Sequence, residues 1–442
     1  MTTFFKTYWS SRKLYALGWK QFFSTNRTLL LFSFFTFLSV LLLRSWFHFT
    51  HPGLYVEDTS HYFNYFYGDI RGFKSLLHNP NGYLTILTNT IALLTAKLDV
   101  RLQPTVYLLT STTMTIAAVM ALPCSGLLKN RYILFCSPFL LGLSGINHLF
   151  YYTTLTYLIY VSVILLFSLL FWETGDSNLG TGLLFIFLSL LIWSGPFSVL
   201  TVPFSLMFIL FFKGKTRFLL GLMVVAIFYL LCVTDKTIML SNIFHGAIRR
   251  IWFNTLILNV FLMEARHVVT PKIEIFFTLF FTGILFFFRK DSFYLKIALL
   301  LFILINGSLA LLFLSKKYLL YQTLLPCYLF IPQFFWLFFL LFTADRFLVN
   351  HRKLVHMGIP IACCFFAFIL YDNLHHPEKW EISRMPALPR FLEVVHNNEM
   401  HHWEKENKLK IITTPGRGSF RPTAKVGKRG DDTTEVEFIH VE

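Results

Sequence analysis

Long apolar runs, broken by short polar clusters, fill most of the chain between Thr28 and Tyr371. Runs approaching the ~20 residues needed to cross a bilayer predict membrane-spanning helices, because only a helix satisfies its own backbone in lipid. Eleven such spans are predicted: Thr28–Leu43, Thr105–Leu128, Tyr132–Ile146, Leu149–Trp172, a fifth ending at Trp193, then Phe197–Phe212, Phe218–Val233, Ile273–Phe288, Phe293–Leu314, Leu319–Phe342 and Val355–Tyr371. Leu84–Leu98 reads differently. Its apolar residues recur at helical spacing with Thr and Asn opposite, which predicts a helix lying along the membrane surface. Ile248–Met263 predicts a second interfacial or re-entrant helix. The expected fold is therefore all-α and polytopic, with about 11 transmembrane helices and interfacial helices in the first outer loop. From Asp372 the apolar runs stop. Phe391–Lys408 predicts a helix, and residues 414–434, rich in Gly, Pro and charge, predict a flexible tail. No repeat at a fixed period is visible.

Charge gives this pattern a direction. Residues 1–27 hold Lys6, Arg12, Lys13, Lys20 and Arg27, no acid, and the interleaved aromatics Trp9, Tyr15 and Trp19. They read as a basic cytoplasmic segment at the interface, not a cleavable leader. Lys129 and Arg131, then Lys213, Lys215 and Arg217, then Arg289 and Lys290, then Arg346, Arg352 and Lys353 fall in alternate short connections. Positive residues in short loops mark the cytoplasmic side. The implied layout is a basic segment (1–27), a membrane domain (28–371) with outer loops 44–104 and 234–272, and an extracytoplasmic polar tail (372–442). The implied location is the inner (cytoplasmic) membrane, with the N-terminus inside. Only 14% of residues are charged, against roughly 25% in a soluble domain. Loop placement accounts for the net charge of +16 without a nucleic-acid partner. The six cysteines fall in or beside apolar runs and read as small buried hydrophobes, in neither a disulfide nor a metal-type spacing.

The first outer loop carries the sharpest candidate chemistry. Glu57 and Asp58 adjoin a band of aromatics, Tyr62, Phe63, Tyr65, Phe66 and Tyr67, and the turn Asn79-Pro80-Asn81-Gly82. Carboxylates beside a span are either solvated or functional. Asp58 or Thr59 as the cap of a helix starting at Ser60 is one reading. The other is a general base: an acid partly desolvated by aromatics has raised proton affinity and can take a proton from an acceptor hydroxyl. Adjacent helical residues point about 100° apart, so one of the pair faces substrate while the other supports it. Asp58 is the favoured base and Glu57 the support or substrate ligand. Asn147 and His148, after the third span, read by themselves as interfacial residues. Lys316 and Lys317 read by themselves as a snorkelling pair at a span end.

The order and sidedness of these features resemble the membrane glycosyltransferases of the GT-C type, over roughly residues 1–415. The resemblance rests on Val56-Glu57-Asp58, Asn81-Gly82-Tyr83-Leu84, Gly145-Ile146-Asn147-His148, Ser194-Gly195-Pro196-Phe197 with Pro203, and Lys317-Tyr318 with Pro326. It implies transfer of a sugar from a polyprenyl-phosphate donor to an envelope glycan or lipid acceptor on the outer face of the membrane, with inversion in one displacement. It brings Tyr83 and Tyr318 into the substrate site and makes Asn147 and His148 candidates for hydrogen bonds to sugar or acceptor. Lys316 and Lys317 come first as partners of the leaving phosphate, then Arg249, Arg250 and Arg266. Where relatives place Arg before the Tyr, this chain has Lys317, which serves phosphate as a point charge without the bidentate fork. A single acidic pair, with no second outer acid cluster, points to the metal-independent kind, although some relatives use a divalent cation. His396, His401 and His402 read as a solvated face rather than a metal site.

The competing class is a transporter or flippase of a lipid-linked or polar substrate. That class requires ionisable residues deep in the spans, or matched halves with broken helices. The middle of most spans is bare of charge, and polar residues gather at the outer ends and in the outer loops. A non-catalytic scaffold leaves the acidic loop without a role.

Overall fold

The structure, a computed structural model, describes residues 19–44, 49, 76–77, 84–98, 102–143, 155, 157–172, 178–212, 215–232, 283–314, 330–351, 360, 408–413 and 435–440. The helices are α1 (Trp19–Arg44), α2 (Ile86–Thr95), α3 (Gln103–Ala121), α4 (Arg131–Leu143), α5 (Leu158–Leu170), α6 (Asn178–Ile192), α7 (Thr201–Phe211), α8 (Thr216–Cys232), α9 (Ser292–Leu314) and α10 (Phe330–Asn350). Two 3-10 turns, Pro123–Ser125 and Pro196–Leu200, follow α3 and precede α7. Among the described residues, three helices are long and apolar enough to cross a membrane: Gln103–Ala121, Ser292–Leu311 and Phe330–Asn350. Shorter apolar helices stand beside them.

All thirteen side chains of α5 are buried. A helix apolar all round belongs at the centre of a bundle, and α5 is packed by α3, α6 and α10. Phenylalanine does much of this packing. Phe167 meets Phe204 edge-on at 5.3 Å and Phe335 at 6.2 Å, and Phe171 meets Phe204 at 5.5 Å. Edge-to-face rings fill space between helices with favourable quadrupole contacts. On the flank, α1 runs parallel to α4: Ser33 Oγ donates to the Phe135 carbonyl at 2.8 Å, and Phe37 packs on Phe139.

The short connections converge at one end. Asp345 Oδ1 accepts from the backbone N–H of Lys129 (2.9 Å) and of Asn130 (2.6 Å). Trp172 Nε1 donates to the Ala121 carbonyl at 2.6 Å. Lys215 Nζ donates to the Leu170 carbonyl and Lys296 Nζ to that of Phe211. The Arg346 guanidinium lies 4.5 Å over Phe293. These contacts place the N-terminal ends of α4, α8 and α9 with the C-terminal ends of α3, α5, α7 and α10. Lys129, Arg131, Lys215, Arg217, Arg289, Lys290 and Arg346 gather there, against Asp291 and Asp345. This is the basic end of the bundle.

Helices occupy nine of the eleven expected span positions among the described residues, and residues 283–287 fall within a tenth. The expected 355–371 span lies outside the described residues apart from Pro360, as does Ile248–Met263. Several boundaries differ. α1 begins at Trp19, inside the stretch read as an interfacial segment. α10 runs on through Asp345 and Arg346 to Asn350, because the buried Asp345 carboxylate finds two backbone donors instead of ending the span at Phe342. Cys124 is buried and Cys136 half-buried, but Cys232, at the end of α8, is exposed. The all-α expectation also misses a parallel pair, β1 (Lys408–Thr413) with β2 (Glu435–His440). Lys408, expected to end a helix, instead begins a strand opposite Glu435, and Lys410 pairs with Glu437 in the same register. Both segments alternate and are rich in Ile, Val and Phe, residues that favour strands. The sequence between them, 414–434, is long enough for the crossover that parallel pairing needs.

Candidate functional site

At the end opposite the basic one, α2 is seated on the turn that follows α6. Its first N–H groups have no partner within their own helix. Ile86 N–H donates to the Trp193 carbonyl at 3.0 Å, and Leu87 N–H to Ser194 Oγ at 3.1 Å. Ser194 Oγ in turn donates to the Leu190 carbonyl at 2.5 Å. One hydroxyl thus joins two helix ends.

The buried face of α2 is Thr88, Asn89, Ala92 and Thr95, while Leu94 is 60% exposed. The helix is where its periodicity predicts, but its polar stripe is buried, while Leu87, Ile91 and Leu93 are half-buried against the core and Leu94 is exposed. The polar groups are satisfied internally. Asn89 Nδ2 donates to the Leu76 carbonyl at 2.9 Å, Thr85 Oγ1 to Asn89 Oδ1 at 3.3 Å, and Thr88 Oγ1 to the Thr85 carbonyl at 2.8 Å. Asn89 therefore ties Leu76 to α2, and α2 is tied to the 193–194 turn. Asn89 and Ser194 escape a search for charged or catalytic residue types. The signal for Asn89 is an amide flanked by Thr85 and Thr88 on one helical stripe.

The turn itself is anchored to the central helix. Ser198 Oγ lies 2.5 Å from the Ile192 carbonyl oxygen and 2.6 Å from that of Gly195, and its one proton is shared between them. A Cβ on Gly195 would sit 2.9 Å from the Ile159 carbonyl oxygen. Ser194-Gly195-Pro196 is thus a helix break in which glycine permits backbone-to-backbone contact with α5. Aromatic rings surround it: Tyr157 stacks on Tyr160, Tyr160 packs on Phe197, and Trp193 meets Tyr229 edge-on at 6.0 Å. Gly195→Ala is expected to destabilise the protein by about 1–3 kcal/mol, because the obstructing atom is backbone and cannot swing aside. Gly182→Ala in α6, where the new methyl meets nothing within 4 Å, is expected to be neutral or stabilising. Thermal unfolding of the purified variants checks both.

Glu57, Asp58, Tyr83, Asn147, His148, Arg249, Arg250, Lys316, Lys317 and Tyr318 all lie outside the described residues. The helix ends that bracket their segments do not. Glu57, Asp58 and Tyr83 fall between Arg44 of α1 and Leu84 before α2. Asn147 and His148 fall between Leu143 of α4 and the buried Leu155. Arg249 and Arg250 follow Cys232 of α8. Lys316, Lys317 and Tyr318 fall between Leu314 of α9 and Phe330 of α10. Each of these segments leaves the bundle at the end opposite the basic one, the end that carries the 193–200 turn. Compared with protein-family models, with curated proteins and with solved structures, the chain matches none.

Proposed function

We propose that the chain is an inverting GT-C-like membrane glycosyltransferase. It moves a sugar from a polyprenyl-phosphate donor to an envelope glycan or lipid acceptor at the outer face of the cytoplasmic membrane. The observation that carries this reading is the sorting of the bundle into two ends. One end is basic and closed by short loops. From the other leave the segments that hold the acidic pair, Asn147-His148, Arg249-Arg250 and Lys316-Lys317-Tyr318. With the basic end in the cytoplasm, the eleven spans put the N-terminus inside and residues 372–442 outside. The described helices bear no Asp, Glu, His, Lys or Arg near their middles, and Arg27 lies in the first third of α1, toward the basic end. The buried Asp345 receives loop N–H groups at the basic end, the role of a structural carboxylate, which favours surface chemistry over transport.

The reaction is a single displacement. The Asp58 carboxylate takes the acceptor hydroxyl proton as the oxygen attacks the anomeric carbon. The bond from that carbon to the phosphate oxygen breaks, its electron pair leaving with the lipid phosphate. Lys316 and Lys317 offset the charge that develops there, and Arg249 and Arg250 are the second set. Glu57 supports the base or binds substrate. Asn147, His148, Tyr83 and Tyr318 hold sugar or acceptor, and no metal is required in this scheme. The test is purified protein incubated with acceptor glycans and a panel of polyprenyl-phosphate sugars, scored for lipid-phosphate release. Release with at least one donor is expected. No release from any, with no donor bound, sinks the reading.

A further inference from the structure

A groove of about 600 Å³ opens between the first half of α1 and the second half of α3. Its walls include Phe34, Ala117 and Met120, and Ser24 and Arg27 stand toward the basic end. Thr113, deeper in, already donates its hydroxyl to the Leu109 carbonyl at 2.8 Å. The lining holds one cation and no acid, and no acid occurs anywhere in residues 1–27. Ser24 and Phe34 are ten residues apart on one helix, about 15 Å at 1.5 Å per residue. That is half of a ~30 Å hydrocarbon core. The groove is therefore one leaflet deep, apolar along its length, with its charge where headgroups lie.

From this geometry we infer that the groove between α1 and α3 binds one acyl chain of an anionic phospholipid from the leaflet at the basic end, with the lipid phosphate on Arg27. A one-leaflet groove suits a phospholipid chain better than a long polyprenyl carrier. Among the described residues the lining sets no acid against this guanidinium, which selects an anionic headgroup and can hold its phosphate with two parallel N–H donors. The site lies at the end opposite the proposed transfer chemistry and does not depend on it.

The test uses the full chain in phosphatidylcholine vesicles containing a phospholipid with a photoactivatable acyl chain, followed by mapping of the cross-linked peptides. Label is expected on residues 24–34 and 113–124, displaced by phosphatidylglycerol but not by added phosphatidylcholine or inorganic phosphate. Arg27→Gln should lower the preference for phosphatidylglycerol about fivefold, the worth of one cation at a charged headgroup, and Arg27→Lys should keep most of it. Ala117→Trp, which fills the groove, should remove the label while the protein still elutes as a single species. Label spread evenly over the exposed faces of α6 and α8, equal displacement by both phospholipids, or an unchanged preference in Arg27→Gln overturns the site.

Discussion

Asp58→Asn is expected to lower sugar transfer by about 10²–10⁴-fold, the usual worth of a positioned general base, while leaving polyprenyl-phosphate binding close to wild type. Asparagine keeps the shape and a hydrogen-bonding oxygen but cannot accept the acceptor's proton. The loss should therefore appear in kcat and not in donor affinity, as for an interaction made only in the transition state. Glu57→Gln is expected to cost less and to act partly through KM, because a supporting or substrate-binding carboxylate acts in the ground state too. Transfer rates measured with matched donor titrations separate the two roles. If Asp58→Asn turns over like wild type and Glu57→Gln does not, the base is Glu57. If both turn over normally, the acidic pair has no part in the reaction.

Asp345→Ala should destabilise the protein by about 3–5 kcal/mol, the cost of removing one side of a buried charged contact. Asp345 is fully buried, and its Oδ1 receives the N–H groups of Lys129 and Asn130, more than 200 positions earlier in the chain. The strand of contacts continues through Asn130. Its Oδ1 accepts from the N–H groups of Tyr132 and Ile133, capping α4 at its start. Loss of the carboxylate leaves two backbone donors without an acceptor and loosens the cap behind them. Arg346, packed over Phe293 and Phe342, loses its neighbouring negative charge at the same time. Asp345→Asn keeps one acceptor oxygen and should cost only about 1–3 kcal/mol. Thermal unfolding in detergent reads both. An Asp345→Ala protein as stable as wild type would show that the α10 contact to the 127–130 loop holds nothing together.

The helices and their alternating direction were legible in the sequence because two independent signals agree. Apolar runs approach the width of a bilayer, and Lys or Arg falls in the 129–131, 213–217, 289–290 and 346–353 connections, all on one side of the alternation, although the 173–178 connection on that side carries Glu173 and Asp176 instead. The structure joins those very connections at Lys129, Trp172, Lys215, Phe288–Ser292 and Asp345. The burial of the polar stripe of α2 was not legible in the same way. Periodicity separates the stripe of Thr88, Asn89 and Thr95 from that of Leu94 and Leu98, but it does not say which stripe meets protein. That depended on partners far off in sequence, at Trp193 and Ser194. The reach of α10 to Asn350 was hidden for a similar reason. An acid and a cation usually end a span, and only the donors of the 127–130 loop make Asp345 tolerable inside. The strands at 408–413 and 435–440 are short alternating segments in a polar tail, where a period-2 signal is easily passed over. Of the site, the sequence carries the residues, and the structure carries the end of the bundle from which their segments leave.

Both functional expectations depend on Asp58 and the phosphate-site lysines meeting at that end. The direct measurement is pairwise cross-linking in a variant whose six native cysteines are replaced. Cysteines are placed at position 58 with 317, and at 58 with 129 as the pair spanning the bundle, and each pair is treated with a short bismaleimide. Bridging of 58 with 317 and none of 58 with 129 is the predicted result. Bridging of 58 with 129, or of neither pair when both thiols react with a monofunctional maleimide, would contradict it.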